Sequence, residues 1–255
     1  MKHYLQTFNH ISNEKSIVKI LANIGVSYLM LGKYHHAIRY LERSKAEHHG
    51  DRASYTGPYI AGMLATCYGI TGEYNKAIKL LDVTIAQAKS AKHEAILKEC
   101  LLNRSALSIR MQNYEESIEF SNQALILAKC DKSIYAPALI NKATCLLKMK
   151  RITEGQHVLE SVKPLVEGDE HLTALFDAIN HQINLNNAKS RYHLENVVIP
   201  YLRAGGGVTM FTALCICKDL EAYYKKKKTK TKALAMAAII REIYEDMFID
   251  DNDLE

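Results

Sequence analysis

Glycine and proline are scarce in this sequence: its 255 residues include 12 Gly and 4 Pro, about half the usual share for a globular protein. That scarcity excludes a collagen-like chain and disfavours turn-rich all-β folds and low-complexity disorder. Tryptophan is absent. The longest uninterrupted apolar run is the stretch 233–240, far short of the roughly 20 residues that span a bilayer. We therefore expect no membrane partner.

Neither sign of charge dominates, because 33 Lys and Arg face 28 Asp and Glu for a net charge of +5. Apolar residues make up 48% and charged residues 24%, which is typical of a soluble globular protein. The six cysteines do not form a disulfide framework, and the N-terminus has no signal-peptide pattern. We expect reduced thiols and a cytoplasmic location.

A short segment recurs along the chain at a nearly constant spacing. It reads LGKYHHAI at 31–38, TGEYNKAI at 71–78 and QNYEESI at 112–118, with a weaker copy at 150–155. One anchor position in these copies holds Tyr34, Tyr74, Tyr114 and Ile152, which are 40, 40 and 38 residues apart. A fixed period of this length indicates a repeat architecture.

Each anchor lies between two stretches with apolar residues at helical spacing, which predicts a pair of helices per repeat. Small residues recur at one position in each helix, where they allow the two helices to cross closely. These two sets are Gly25, Ala65, Ser105 and Ala143, and Ala37, Ala77, Ser117 and Gly155. Gly32 and Gly72 fall where the first helix ends and a left-handed residue is needed.

This pattern resembles the tetratricopeptide repeat: a small residue in the first helix, then Gly-x-Tyr, then Ala in the second helix. The resemblance implies an all-α, right-handed superhelical solenoid of about five to six helix hairpins with repeats of about 40 residues. We expect one domain over 1–255. Its parts are an N-terminal helix at 2–16, four clear repeats at 17–167, a degenerate repeat at 168–204, a C-terminal repeat at 208–248 and an acidic tail at 249–255.

The first helices of such a solenoid line a concave groove. One groove-facing position, eleven residues before each anchor, holds Asn23, Met63, Asn103 and Asn141. A side-chain amide both donates and accepts, so a ladder of Asn can hold the backbone of an extended peptide. The alternative, that these Asn support the helix hairpins, stays open. Neighbouring candidate peptide contacts are Lys19, Tyr59, Met63, Thr66, Glu99, Arg110, Thr144 and Lys148.

The long repeats, the Asn ladder and the stretch DLEAYYKKK at 219–227 resemble the RRNPP family. These are cytoplasmic peptide-pheromone receptors of Gram-positive bacteria, and they comprise Rap-type regulators and peptide-sensing transcription factors. The resemblance implies that Asn23, Asn103 and Asn141 contact a peptide backbone. Members begin with a helix-turn-helix or a three-helix bundle, whereas this sequence reaches its first repeat near residue 17. We therefore carry over neither DNA binding nor phosphatase activity, and leave open whether the chain is a fragment.

No catalytic or metal-binding arrangement is evident in the sequence. The glycines at 205–207 lack the Gly-Lys-Ser/Thr ending of a phosphate loop, and the adjacent histidines at 35–36 and 48–49 diverge on a helix. Cys215 and Cys217 lie about 200° apart on a helix, so they cannot share a metal and are expected to be small buried side chains. We expect a non-enzymatic protein with no metal site and no cofactor.

Two functions stay open. The first is a binding module that captures a short signalling peptide in the groove and relays this to a protein partner, as in quorum sensing. The second is a scaffold for protein–protein assembly, a homodimer included, without a small-peptide ligand. It would use an apolar end near Tyr4, Phe8 and Phe248 or the Lys-rich turn at 225–232. That turn has no interleaved aromatic residue, so a solvated turn is favoured over a nucleic-acid site.

Overall fold

A computed structural model of the chain describes residues 14–48, 56–128, 131–205 and 207–248, and within these ranges it contains helices and no β-strand. The helices are α1 (Glu14–Met30), α2 (Tyr34–Ala46), α3 (Thr56–Thr71), α4 (Tyr74–Ser90), α5 (Glu94–Arg110), α6 (Tyr114–Ala128), α7 (Lys132–Lys148), α8 (Ile152–Val166), α9 (Glu170–Gln182), α10 (Ala188–His193), α11 (Ile199–Ala204), α12 (Gly207–Lys226) and α13 (Lys230–Phe248). Most of the predicted N-terminal helix at 2–16, with Tyr4 and Phe8, lies outside the described residues, as does the tail at 249–255.

Five antiparallel helix hairpins follow one plan, and they confirm the predicted all-α solenoid. The hairpins are α1/α2, α3/α4, α5/α6, α7/α8 and α12/α13, and up to α8 each second helix also packs on the first helix of the next hairpin. Four of the second helices begin at the anchor residues Tyr34, Tyr74, Tyr114 and Ile152. The repeated segment therefore marks the turn of each hairpin. The assignment of 1–255 to a single domain stays a prediction.

The predicted small residues lie where the two helices of a hairpin cross. A Cβ added at Gly25 would lie 2.6 Å from Cγ of Leu41, and one at Gly155 would lie 2.7 Å from Cγ of Leu147. Larger side chains at these positions would therefore push the helices apart. The other members of the two sets are also buried: Ala37, Ala65, Ala77, Ser105, Ser117 and Ala143.

The third hairpin has serine at both crossing positions, and the hydroxyls satisfy one another. Ser105 Oγ lies 3.0 Å from Ser117 Oγ and 2.8 Å from Ser121 Oγ. All three side chains are buried. Because a buried hydroxyl without a partner is costly, the two serines at the crossing positions are accompanied by a third, Ser121, where the other hairpins have Leu41, Leu81 and Leu159.

Every hairpin turn contains one residue with positive φ at the same position. These residues are Gly32 at 76°, Gly72 at 87°, Gln112 at 62°, Lys150 at 64° and Lys228 at 58°. In the first turn the Lys33 N–H donates to the Tyr28 carbonyl at 2.9 Å, which is the long bond of a Schellman motif. The same bond recurs in the other four turns. Three turns therefore adopt the left-handed conformation without glycine, and the sequence pattern predicted only the two with glycine.

A polar contact joins the second helix of one hairpin to the first helix of the next. The Tyr68 hydroxyl on α3 donates to the Glu42 carboxylate on α2, and the Lys76 ammonium lies 5.1 Å from the centre of the Tyr68 ring. In the last hairpin the same three roles belong to Tyr224, Glu195 and Lys232. In both places a lysine ammonium over the ring and a carboxylate at the hydroxyl fix a buried tyrosine between two hairpins.

In the middle hairpins the same contact is made with other residues. Arg104 on α5 is buried and bonds to Asp82 on α4 at 3.1 Å and to Glu116 on α6 at 2.8 Å. One repeat later, Lys142 on α7 donates to Asn122 Oδ1 on α6 at 2.8 Å. Each link spans two hairpins, so it fixes the angle between neighbouring repeats.

The helix pair that lies between the hairpins α7/α8 and α12/α13, the fifth along the chain, is irregular. Its first helix is α9, and its second helix is replaced by α10, a π-helical turn at Leu194–Val198 and α11. Pro200 in the first turn of α11 has no N–H to continue an α-helical hydrogen-bond pattern, which is a recognised cause of local irregularity. In a π-turn each hydrogen bond joins residues five apart along the chain, so the turn contains one residue more than a turn of α-helix.

The first helices contact one another in chain order from α1 through α3, α5, α7 and α9 to α12. Helix α12 also contacts α1, and α13 contacts α2. The last hairpin therefore lies against the first, and the inner row of helices closes on itself. The concave groove predicted from the sequence is expected to be lined by this row.

Candidate functional site

Two members of the Asn ladder lie across the preceding first helix. The Asn103 amide nitrogen is 3.6 Å from the position of a Cβ at Gly62, so it stands over bare backbone of α3. The Asn141 amide donates to Ser105 Oγ at 3.2 Å. Both side chains are half-buried, whereas Asn23 is exposed. An amide has two N–H groups and a carbonyl oxygen, so Asn141 supports its neighbour and retains capacity for further hydrogen bonds.

The two predicted threonines use their hydroxyls within their own helices. Thr66 Oγ1 donates to the Gly62 carbonyl at 3.0 Å, and Thr144 Oγ1 donates to the Ile140 carbonyl at 2.8 Å. These hydroxyl protons are therefore already engaged. The other predicted contacts on the first helices are exposed Lys19 and half-buried Tyr59, Met63 and Glu99.

A cation follows each of the two Asn by seven residues, which places it on the same helix face two turns further on. These cations are Arg110 on α5 and Lys148 on α7. A Cβ at Gly69 would lie 3.2 Å from Nη1 of Arg110, so this glycine leaves room for the guanidinium on α3. Burial lowers the pKa of the Arg110 guanidinium, and Cys215 on α12 partly opposes that shift.

Lys148 is paired with a residue of the last hairpin. Its ammonium lies 3.1 Å from Asp219 Oδ2 on α12, and Gln182 on α9 donates to the same oxygen at 2.9 Å. The sequence analysis named Lys148 but missed Asp219 and Gln182. Asp219 opens the stretch 219–227 that carries the family resemblance, and this was the one available signal for it.

The sequence predicted that Cys215 and Cys217 are both buried. This prediction is wrong for Cys215, whose side chain is exposed, whereas Cys217 is buried. The wide angle between the two positions sends Cys217 into the core and leaves Cys215 on the face of α12 that carries Asp219, four residues later. Burial raises the pKa of the Cys217 thiol to about 12. Both cysteines are free thiols.

A separate cavity of about 610 Å³ lies on α2, α3 and α4. Its lining includes the cations Lys45, Lys76 and Lys79 and the apolar side chains Leu80 and Val83. None of the predicted peptide contacts lines this cavity. The Asn ladder and the cavity are therefore two different surfaces.

Taken together, Asn103, Arg110, Asn141 and Lys148 form a polar stripe along α5 and α7. Amides at one level of this stripe can pair with peptide N–H and C=O groups. Cations at the next level can hold a carboxylate, which an arginine binds through two parallel hydrogen bonds. The assignment of these residues to a ligand stays a prediction.

No helix in the described ranges is long and apolar enough to cross a lipid bilayer.

Neither a protein-family model nor a curated protein matches the chain. Solved structures do match it over nearly its whole length, at a low level of sequence identity.

A Rap protein complexed with Competence and Sporulation Factor matches with a TM-score of 0.81 at 10% identity, over 96% of this chain and 68% of that one. Aspartyl phosphate phosphatase F from Bacillus subtilis matches with a TM-score of 0.74 at 13% identity, over 96% of this chain and 64% of that one. The Rap conjugation gene regulator of the plasmid pLS20, in complex with the Phr* peptide, matches with a TM-score of 0.71 at 13% identity, over 96% and 69%.

This chain thus spans between 64% and 69% of the length of these three proteins. Identities of 10–13% establish the fold alone. The chain is therefore a tetratricopeptide-like helical solenoid whose architecture is similar to that of these Rap proteins and this phosphatase.

Proposed function

We propose that this protein captures a short linear peptide in its concave groove and relays the event to a protein partner. The observation that carries the proposal is the polar stripe, in which Asn103 and Asn141 are each followed two turns later by a cation. An extended peptide offers repeating N–H and C=O groups to the amides. Its C-terminus or an acidic side chain offers a carboxylate to Arg110 or Lys148.

The similar structures support the same function. The pLS20 regulator is in complex with the Phr* peptide, and the Rap protein is complexed with Competence and Sporulation Factor. Because these proteins share only the fold with this chain, the peptide ligand, the partner and the cytoplasmic, quorum-sensing setting are parts of the proposal.

The relay would use the closed row of first helices. A peptide that contacts α5 and α7 together favours one angle between these repeats over others. That preference becomes a signal only if the peptide binds one arrangement more tightly than the other. The contact of α12 with α1 would carry a change of angle in the middle repeats to both ends of the chain.

The proposal assigns binding and no catalytic step to this chain. One similar structure is an aspartyl phosphate phosphatase, of which this chain covers 64%. The fold therefore also occurs in an enzyme that is longer than this chain.

The Lys-rich turn at 225–232 is used in part for structure, because Lys228 adopts the left-handed turn position and Lys232 lies 3.4 Å from Glu195 Oε2.

The first test is a thermal-shift screen of the protein against pools of random peptides of about five to ten residues. A ligand that prefers the folded state raises the melting temperature by mass action. We expect stabilisation by at least one pool, its loss in the Asn103→Ala/Asn141→Ala double variant, and its retention in Asn75→Ala, an exposed Asn on α4.

Two results would count against the proposal. Stabilisation that survives in the double variant would place the peptide away from the Asn ladder. No shift from any pool would favour the scaffold function instead, and sedimentation of the protein alone would then show whether it assembles with itself.

A further inference from the structure

The irregular fifth helix pair brings three metal-ligating side chains together: Asp177 and His181 on α9 and His193 on α10. Their candidate ligand atoms, one from each residue, all lie within 4.8 Å of one another. Asp177 Oδ2 is 3.5 Å from His193 Nε2. The two imidazole rings have centroids 4.5 Å apart and are inclined by 46°.

Hydrogen bonding does not account for this cluster. Among the residues that the structure describes, buried His193 Nε2 has no hydrogen-bond partner, although nearly all buried polar atoms in proteins have one. Asp177 Oδ2 lies 3.5 Å from this nitrogen but does not form a hydrogen bond with it. A nitrogen in this position, beside a second imidazole and a carboxylate, lacks the partner that a bound cation would provide.

We propose that Asp177, His181 and His193 bind a divalent transition-metal ion, for which Zn²⁺ is the best match. Two imidazoles and one carboxylate are a ligand set that Zn²⁺ takes in proteins, with a fourth position left for water. Bonds of about 2.0–2.2 Å require the three ligand atoms to approach one another more closely than 4.8 Å, so the proposal includes a rotation of these side chains on binding. All three residues are half-buried, so the ion and its water have a path to solvent.

The local backbone favours this arrangement. Asp177 and His181 are four residues apart on α9 and thus share one face. His193 is the last residue of α10, directly before the π-turn at Leu194–Val198, and π-turns are frequent at functional sites. A metal ion here would tie α9 to the irregular segment that replaces a second helix. This role is independent of the peptide groove.

The test titrates Zn²⁺ alone into the full chain after treatment with a chelator, by calorimetry. We expect one equivalent to bind and to raise the melting temperature. Asp177→Asn, His181→Gln and His193→Ala should each weaken binding by about tenfold or more, and Co²⁺ should give visible absorption bands in the parent protein that these variants lack. His171→Ala, at an exposed position on α9, should bind as the parent does.

Circular dichroism of each variant in chelator keeps the test valid. If His193→Ala does not fold, the near-isosteric Asp177→Asn and His181→Gln variants carry the comparison. The proposal is overturned if Zn²⁺ neither releases heat nor raises the melting temperature at about 1 mM, a typical upper limit for weak specific binding. It is equally overturned if folded Asp177→Asn and His181→Gln bind Zn²⁺ as the parent does.

Discussion

Lys148 on α7 and Asp219 on α12 form an ion pair of 3.1 Å, although 71 residues separate them in the chain. Their side chains are 46% and 37% exposed, so the pair contributes at most about 1 kcal/mol to stability. If the proposed peptide places a carboxylate at Lys148, that carboxylate competes with Asp219 for the ammonium.

Substitutions of the two partners should therefore change peptide affinity in opposite directions. We expect Lys148→Met to weaken binding of an acidic peptide by about tenfold, or about 1.4 kcal/mol. Asp219→Asn should strengthen it severalfold because the ammonium is released. Calorimetry with a peptide from the screen measures both. If Asp219→Asn weakens binding as well, Asp219 positions Lys148 for the ligand and does not compete with it.

The Asn ladder should carry hydrogen bonds to the peptide backbone. Asn103→Ala and Asn141→Ala are each expected to weaken peptide binding by about 1–3 kcal/mol, the cost of leaving a polar partner unpaired. Asn141→Ala should also lower the stability of the free protein slightly, because its amide donates to Ser105. Binding and unfolding measured on the same samples separate the two effects, and unchanged affinity in both variants would contradict the ladder.

The hairpin turns should respond to glycine in a predictable way. A Cβ at Gly72 would meet no atom of the described residues within 4 Å, so Gly72→Ala measures the cost of a left-handed backbone, about 1 kcal/mol. Lys150 already adopts the left-handed conformation, at φ 64°. Because glycine adopts it without strain, Lys150→Gly should stabilise the protein by about 0.5–1 kcal/mol.

Denaturant unfolding measures both changes at the turns. The control is Lys79→Gly at an exposed position within α4, which should destabilise the protein by about 1 kcal/mol because glycine is a poor helix former. A Lys150→Gly variant as unstable as Lys79→Gly would show that the turn does not need glycine's freedom.

Glu116 should make stability depend on pH in the acid range. Burial acts to raise its pKa, but hydrogen bonds from Ser108 and Arg104 and the charge of Arg104 outweigh burial and lower the pKa. The folded protein then binds this proton less readily than the unfolded chain does. The resulting stabilisation is present above the ordinary pKa of 4.5 and is lost as pH falls through the lowered value.

Glu116→Gln should accordingly flatten the fall of unfolding free energy with decreasing pH. Glu119→Gln, at an exposed position on the same helix, serves as the matched control. Denaturant unfolding at several pH values between about 3 and 6 tests this. Identical pH profiles for the parent and Glu116→Gln would show that the contacts with Arg104 and Ser108 do not affect proton binding.

Features that depend on one repeat were predictable from the sequence. The anchors Tyr34, Tyr74 and Tyr114 begin second helices, and Gly25 and Gly155 lie at helix crossings. These features follow from short-range sterics, since a helix hairpin is closed by residues within about 40 positions of one another. The repeat therefore predicted the all-α solenoid before any contact between distant residues was known.

Features that depend on several repeats were decided by the tertiary structure. The contact of α12 with α1, the pairing of Lys148 with Asp219, and the exposure of Cys215 all depend on how the angle between neighbouring hairpins accumulates along the solenoid. That angle is set by side-chain packing and by links such as Arg104 with Asp82, and small changes at each step add up. The cluster of Asp177, His181 and His193 likewise joins two helices of the irregular pair, where the sequence shows no clear repeat from which the contact could be predicted.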